Sequence, residues 1–323
     1  MSDPLVSAIV ITRHRPDLVV RAVDSALRQS LSEIEVIVAI DGPDEETRER
    51  LDKIADPRLR VWQLATRMGY GGARNAACGI ARSEWVALLD DDDEWLPRKL
   101  EIQYAAARVS PHPYPIISCR LISRNKAGDL VWPRRYPHSG QPLSEYLFCQ
   151  RGIFGGAGIV LPSTIFTRRR LFEIVPFRQE LKRHFDVDWL LRTSAVPGAA
   201  VVFVPEQDPL AVWHVGQDRE RMSNTDDWRY SVSWARENRR RMTPHAYASF
   251  LLIWGSLTAA QGGHWEAFFP LIREARRDGR PEAVDILALL SIWLVPEGMR
   301  RKLTASFDRL CRRNHRAPSG KIS

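Results

Sequence analysis

Four consecutive carboxylates, Asp90, Asp91, Asp92 and Asp93, lie inside the stretch LLDDDDEW, Leu88–Trp95. Like charges this close repel one another, and a counter-charge relieves the repulsion. A hard divalent cation such as Mg²⁺ or Mn²⁺ can supply it, taking one or two carboxylates and completing its shell with phosphate oxygens. A solvated acidic turn at a helix start would use the same residues. Upstream, Gly69-Tyr-Gly-Gly-Ala-Arg74-Asn75 combines glycines that allow close backbone approach with a planar guanidinium donor. Thr12-Arg13-His14-Arg15 and Asp41-Gly42-Pro43 each follow an apolar run. Downstream, Asp186 and Asp188 lie in Arg183–Arg192, where either carboxylate could take a proton from a hydroxyl or simply cap a helix. They are two residues apart, so on a helix they point roughly 200° from each other and cannot serve one atom together. His214 closes the run Ala211–His214 and can act as a ligand or as a structural hydrogen-bonder.

The elements that must position these groups alternate in period. Ser7–Thr12, Glu35–Ile40, Arg60–Leu64 and Trp85–Leu89 are short, largely apolar runs rich in Val, Ile and Leu. Between and after them come helical stretches: one opened by Pro16, then Asp44–Ile54, Tyr70–Ala81 and Pro97–Val109. The alternation predicts a mostly parallel sheet with helices on both faces. Ligands of such sheets bind beyond the strands' carboxyl ends, where Thr12–Arg15, Asp41–Pro43 and Asp90–Asp93 fall. Farther on, Ile116–Ser123 and Leu130–Trp132 read as a hairpin, and Ile159–Thr167, Ala200–Val204 and Leu210–His214 as strands. Gly152–Gly158 reads as a Gly-rich loop, and from about Thr225 the pattern is helical throughout.

Taken in order, these motifs resemble the nucleotide-binding half of family-2 glycosyltransferases. The family's strand ending in Thr and its Ser-x-x-x-Gln appear as Ile9–Arg15 and Ser25–Gln29. Its Asp-Asp-Gly-Ser appears as Ile40-Asp41-Gly42-Pro43, with the first Asp replaced by Ile40. Its Asn-x-Gly-x-x-x-Ala-Arg-Asn appears as Arg67–Asn75, with the first Asn replaced by Arg67, and Leu-Asp-x-Asp-Asp-x-Trp is complete as Leu89–Trp95. The resemblance covers about the first 100 residues. It implies an α/β GT-A fold, Rossmann-like, followed by a C-terminal α-helical subdomain. The implied division is 1–224 for the catalytic domain (1–110 nucleotide-sugar half, 111–224 acceptor and base half) and 225–323 for the basic helices.

The resemblance also implies roles. Thr12, Arg15, Asp41, Gly69, Arg74, Asn75, Asp90 and Asp91 would hold a nucleotide-diphosphate sugar, UDP-type by expectation. Asp92 and Asp90, with His214 as a further candidate, would hold Mn²⁺ or Mg²⁺. Asp186 would be the base of an inverting transfer, with Asp188 as second choice. The acceptor would be a glycan or a lipid-linked sugar. A non-catalytic nucleotide-sugar or glycan-binding protein on the same fold is the alternative, and the loss at Ile40 is its support.

Charge narrows the partners. Lys and Arg number 47 against 39 Asp and Glu, a formal net charge of +8. Residues 219–323 hold 19 basic and 11 acidic residues, so the whole excess lies there. Basic clusters at Arg239–Arg241, Arg300–Lys302 and Arg312–Arg313 flank apolar helices. They fit packing of a solvated helical subdomain, or attachment to an anionic membrane surface. No helix-turn-helix, zinc-finger or aromatic-basic motif argues for nucleic acid. Four Cys without a Cys-x-x-Cys pair exclude a disulfide scaffold. Without a signal-like N-terminus or an 18-residue apolar run, the expected location is cytoplasmic, with peripheral attachment to the inner membrane face as the extension.

Overall fold

The computed structural model describes residues 3–125, 128–152, 158–215, 227–296 and 298–300. The chain divides into two compact units, Met1–His138 with Ile159–Asn224, and Ser139–Gly158 with Thr225–Ser323.

The first unit begins with β1 (Val6–Thr12), α1 (Pro16–Leu27), β2 (Ile34–Ile40), α2 (Glu45–Asp52), β3 (Leu59–Gln63), α3 (Gly69–Gly79) and β4 (Trp85–Asp90). Next come the two-residue β5 (Glu94–Trp95), α4 (Lys99–Arg108), β6 (Tyr114–Ser118), β7 (Leu121–Asn125) and β8 (Gly128–Trp132). After α5 (Leu143–Phe148), which belongs to the second unit, follow β9 (Phe166–Arg168), α6 (Arg169–Ile174), α7 (Phe185–Thr193), β10 (Ala199–Phe203) and β11 (Ala211–His214).

Seven strands form the main sheet in the order β10-β6-β9-β4-β1-β2-β3. All neighbours pair parallel except β9, which runs against β4 and β6. Every residue of β1 and β2 is buried, so both faces of the sheet's centre are covered. α1 starts with Pro at its first position, whose missing N–H costs nothing there, and buries Val19, Ala22, Val23 and Ala26 as one stripe. The register pairs Thr12 with Ile40 and Ile11 with Asp90. The three loops that carry the polar motifs therefore leave the sheet side by side.

A second sheet, β5-β11-β7-β8, holds the remaining strands. β7 and β8 form the expected antiparallel hairpin. The run Ile116–Ser123 does not stay one strand: β6 belongs to the main sheet and β7 to the small one, with the switch at Cys119-Arg120. Ile159–Thr167 is also shorter than its pattern suggests, because Pro162 opens a 3₁₀ turn (Pro162–Thr164) before β9. Most of the Gly152–Gly158 loop lies outside the described residues.

The second unit contains α8 (Trp228–Asn238), α9 (Pro244–Ser249), a π-helical turn Phe250–Gly255, α10 (Ser256–Gln261), α11 (Phe268–Asp278) and α12 (Ala283–Leu294). Asp227 and Thr243 cap α8 and α9, and Glu282 with Asp285 forms a capping box on α12. The segment Ser139–Gly158, grouped by sequence with the first domain, belongs to this unit. Phe148 meets Phe250 at 5.1 Å and Trp234 at 6.4 Å, and Ser144 Oγ accepts from the Thr243 N–H at 3.2 Å. Sequence proximity placed this segment with its neighbours, but its aromatic face finds its partners a hundred residues later. Among the described residues no helix is long and apolar enough to cross a membrane.

Candidate active site

The acidic run is distributed among distinct partners. Asp90, the last residue of β4, accepts from Arg74 Nη2 at 2.8 Å and from the Tyr70 hydroxyl at 3.1 Å. Asp91 accepts from Thr12 Oγ1 at 2.8 Å and Arg15 Nη1 at 3.0 Å, which ties β4 to the end of β1. Burial pushes the Asp91 carboxyl up to about 6 although Arg15 pulls it down. Asp93 accepts from Ser163 Oγ at 2.5 Å, and burial pushes it up too, helped by Asp90 and Asp92. Asp92 lies 3.5 Å from Arg15, and its backbone carbonyl accepts from Arg21 at 2.6 Å.

These partners decide which carboxylates can meet a cation. Asp91 and Asp93 are buried and spent on the protein, whereas the Asp90 and Asp92 side chains keep 26% and 28% exposure. Among the described residues no group of three or more His, Cys, Asp or Glu is arranged to hold a metal. The donor set still fits a cation held by one or two carboxylates, with phosphate and water oxygens as its other ligands. His214 Nε2 is 2.7 Å from Glu94 Oε1, and its backbone N–H points to Asp93 at 3.4 Å. The β11–β5 pairing brings it there.

Asp41 is buried, and its two oxygens accept the backbone N–H groups of Met68 and Gly69 at 2.7 and 3.1 Å. It thereby fixes the start of α3, where Gly69 takes the left-handed φ of +74°. From α3, Arg74 is wholly buried, and its guanidinium lies 4.1 Å over the Tyr70 ring. Its Nε and Nη1 have no hydrogen-bond partner among the described residues.

α3 also positions α7. The Asn75 amide donates to the Phe177 carbonyl and accepts from the Phe177 N–H, each at 2.8 Å. Phe177 stacks on Trp189 of α7 at 5.4 Å, and Tyr70 stacks on Phe185 at 4.5 Å. A methyl on Gly71 would stand 2.6 Å from the Arg178 carbonyl oxygen, so only glycine lets α3 approach this segment. Asp186, in the first turn of α7, is thus brought within electrostatic reach of Asp90, Arg74 and Tyr70. Burial raises its carboxyl to about 6, with Asp90 adding to the effect, against backbone N–H groups and Arg74 that lower it. Asp188 instead is fully buried, 2.7 Å from Arg192 and 3.6 Å from Arg178.

Tyr70, Ser163 and two histidines received no role of their own from the sequence pattern. His14 and His184 have φ of +51° and +64°, the positive-φ non-glycine residues among those described. One follows β1 beside Arg15, and the other caps α7 beside Asp186. Strained backbone of this kind persists where surrounding contacts impose it, typically at functional sites. His enters this region more readily than most side chains, but residue type does not tell which His will.

Residues 7–175 match the model of glycosyl transferase family 2. The chain belongs to that family. An Escherichia coli relative, UDP-Glc:alpha-D-GlcNAc-diphosphoundecaprenol beta-1,3-glucosyltransferase WfaP, is 35% identical over 99 residues, 31% of this chain and 39% of the relative. The chain spans from 28% to 66% of the length of the first curated relatives it matches. Among solved structures, TarS 1–349 of S. aureus with UDP-GlcNAc superposes with TM-score 0.56 at 20% identity, covering 98% of this chain and 94% of that one. The mannosyltransferase PcManGT of Pyrobaculum calidifontis with GDP-Man and Mn²⁺ superposes with TM-score 0.57 at 18% identity, over 94% of this chain and 84% of that one. At such identities the likeness speaks to the fold, which is the GT-A arrangement of a mostly parallel sheet followed by C-terminal helices.

Proposed function

We propose that the chain transfers a sugar from a nucleotide-diphosphate sugar to an acceptor hydroxyl, with a divalent cation and with inversion at the anomeric carbon. The observation that carries this reading is the delivery of Asp186 to the Asp90 end of the sheet, with its carboxyl raised to about 6. A carboxylate near that value is ionised at neutral pH yet basic enough to accept the acceptor's proton as the hydroxyl attacks. Asp188 is the weaker choice because its carboxylate is already committed to Arg192.

Thr12, Arg15, Asp41, Gly69, Arg74, Asn75, Asp90 and Asp91 form or brace the donor side. Asp92 and Asp90 would hold Mn²⁺ or Mg²⁺, and the cation, when bound, offsets charge on the departing diphosphate. His214 is a further candidate ligand that would have to leave Glu94. The relative named above, whose name specifies UDP-Glc and a diphosphoundecaprenol-linked acceptor, supports a UDP-type donor and a glycan or lipid-linked acceptor. Surface-polysaccharide assembly at the cytoplasmic face of a membrane fits that pairing.

The test is calorimetric titration of UDP and GDP with and without Mn²⁺. Metal should tighten binding, and Asp92→Ala should remove the gain. Equal affinity with and without metal would remove the cation from this reading.

A further inference from the structure

α12 reads AVDILALLSIWL, and its single charge, Asp285, is buried. A helix apolar on every side is normally enclosed. Here Ala288, Leu289 and Trp293 are buried, while Leu287, Leu290 and Leu294 are exposed, Leu294 at 67%. Their spacing of three and four residues sets them in one ridge. Beyond the helix, Leu294 lines one pocket with Trp265. Trp265 lies 4.9 Å from Trp293, and Phe268 lies 5.5 Å from Trp293 and 5.2 Å from Phe269. Trp265 and Phe269 are 58% and 72% exposed.

Trp265, Trp293, Leu294, Val295, Pro296 and Arg300 line a pocket of about 330 Å³. The Trp293 Nε1, buried there, has no hydrogen-bond partner among the described residues. An exposed patch of this composition marks an interaction site.

Charge indicates the partner. On α11, helical spacing sets exposed Phe269, Arg273 and Arg276 in one row, and exposed Arg277 and Arg280 follow. Of the acids nearby, Glu274 is buried against Arg236 at 2.6 Å, Asp278 pairs with Arg277 at 2.7 Å, and Glu266 lies 3.4 Å from Arg229, so Arg273 and Arg276 carry the positive charge of this row. Aromatic and leucine side chains beside arginines suit the boundary between anionic headgroups and acyl chains. A two-fold contact between copies through this face would gather the same arginines twice, and like charge opposes it.

We propose that this face of the helical unit, built from Trp265, Phe269, Leu290, Leu294, Arg273 and Arg276, docks on an anionic lipid bilayer. It deepens the lipid-linked-acceptor reading above by naming the surface that would meet the membrane.

The experiment is flotation of the full chain with vesicles of phosphatidylcholine alone or mixed with phosphatidylglycerol. The wild type should float with the mixed vesicles and not with phosphatidylcholine alone. Trp265→Ser with Phe269→Ser, and separately Arg273→Glu with Arg276→Glu, should each weaken flotation by about tenfold or more. These side chains are exposed, so the melting temperature should hold. A wild type that ignores anionic vesicles, or a serine pair that floats as well as the wild type, would overturn the proposal. So would a dimer in light scattering that the serine pair dissociates, because a second copy would then occupy the face. Nucleoside diphosphate binding in vesicle-free solution reports on the transferase reading separately.

Discussion

Asp186→Asn should stabilise the protein while abolishing sugar transfer. The carboxyl sits at about 6 in the folded chain against 3.8 as its ordinary value, chiefly because burial disfavours its charge. Below about 3 it is largely protonated in both folded and unfolded states and costs almost nothing. Between the two values the unfolded chain releases a proton that the folded chain keeps, so stability falls as pH rises through that window. Above about 6 the full cost persists. Roughly two pH units correspond to about 3 kcal/mol. Asp186 is half-buried and partly screened by water, which reduces the expected cost to about 1–2 kcal/mol.

Asn has the same shape, can accept the same backbone N–H groups, and carries no charge to desolvate. At pH 7.5 the variant should therefore unfold about 2–8 °C higher than the wild type. At about pH 3 the two should nearly coincide. Nucleoside diphosphate binding should persist while turnover disappears, and the wild-type rate should fall with acid through a limb near 6. The assay is paired thermal melts at the two pH values, with transfer followed by release of nucleoside diphosphate. Equal melting at pH 7.5 would refute the desolvation argument, and retained turnover would refute Asp186 as base.

Gly71→Ala should cost about 1–3 kcal/mol in urea unfolding and lower turnover, because its methyl would meet the Arg178 carbonyl at 2.6 Å and push α3 from the segment feeding α7. Asn75→Ala removes two hydrogen bonds to Phe177 and should cost about 2 kcal/mol by the same measurement. In the helical unit, hydrogen bonds to Asp285 and then Cys149 raise His245 to about 10. Its stabilisation is complete below 6.5 and is lost as pH rises through about 10. Wild-type stability should thus decline from pH 7 to 10, and His245→Gln should flatten that decline in pH-stepped denaturation.

The alternation of apolar runs with helical stretches was enough to predict the main sheet. β1 and β2 are buried on both faces, and a short run of Val, Ile and Ala has few other stable uses. The acidic run was equally legible as a site, because four adjacent carboxylates need partners wherever they are. Which partner each obtained was not legible. Asp91 meets Thr12 across 79 positions of chain and Asp93 meets Ser163 across 70, through a strand register that no local spacing encodes. β9 was shortened by a proline turn, and the split of Ile116–Ser123 between two sheets depends on what each half packs against rather than on its residue types.

By itself the sequence determined the chemical inventory: carboxylates at a strand's end, a guanidinium and glycines opening a helix, a second acidic pair near residue 186, and a basic apolar C-terminal third. Tertiary structure decided the allocation. Asp186 and Asp188 are indistinguishable by type, yet α7 turns one toward Asp90 and locks the other onto Arg192. The same holds at Leu287, Leu290 and Leu294, apolar residues that are left exposed while the helix's other side, with Ala288, Leu289 and Trp293, is buried. Local pattern reports what a side chain can do, but burial and partners depend on which distant segments arrive beside it.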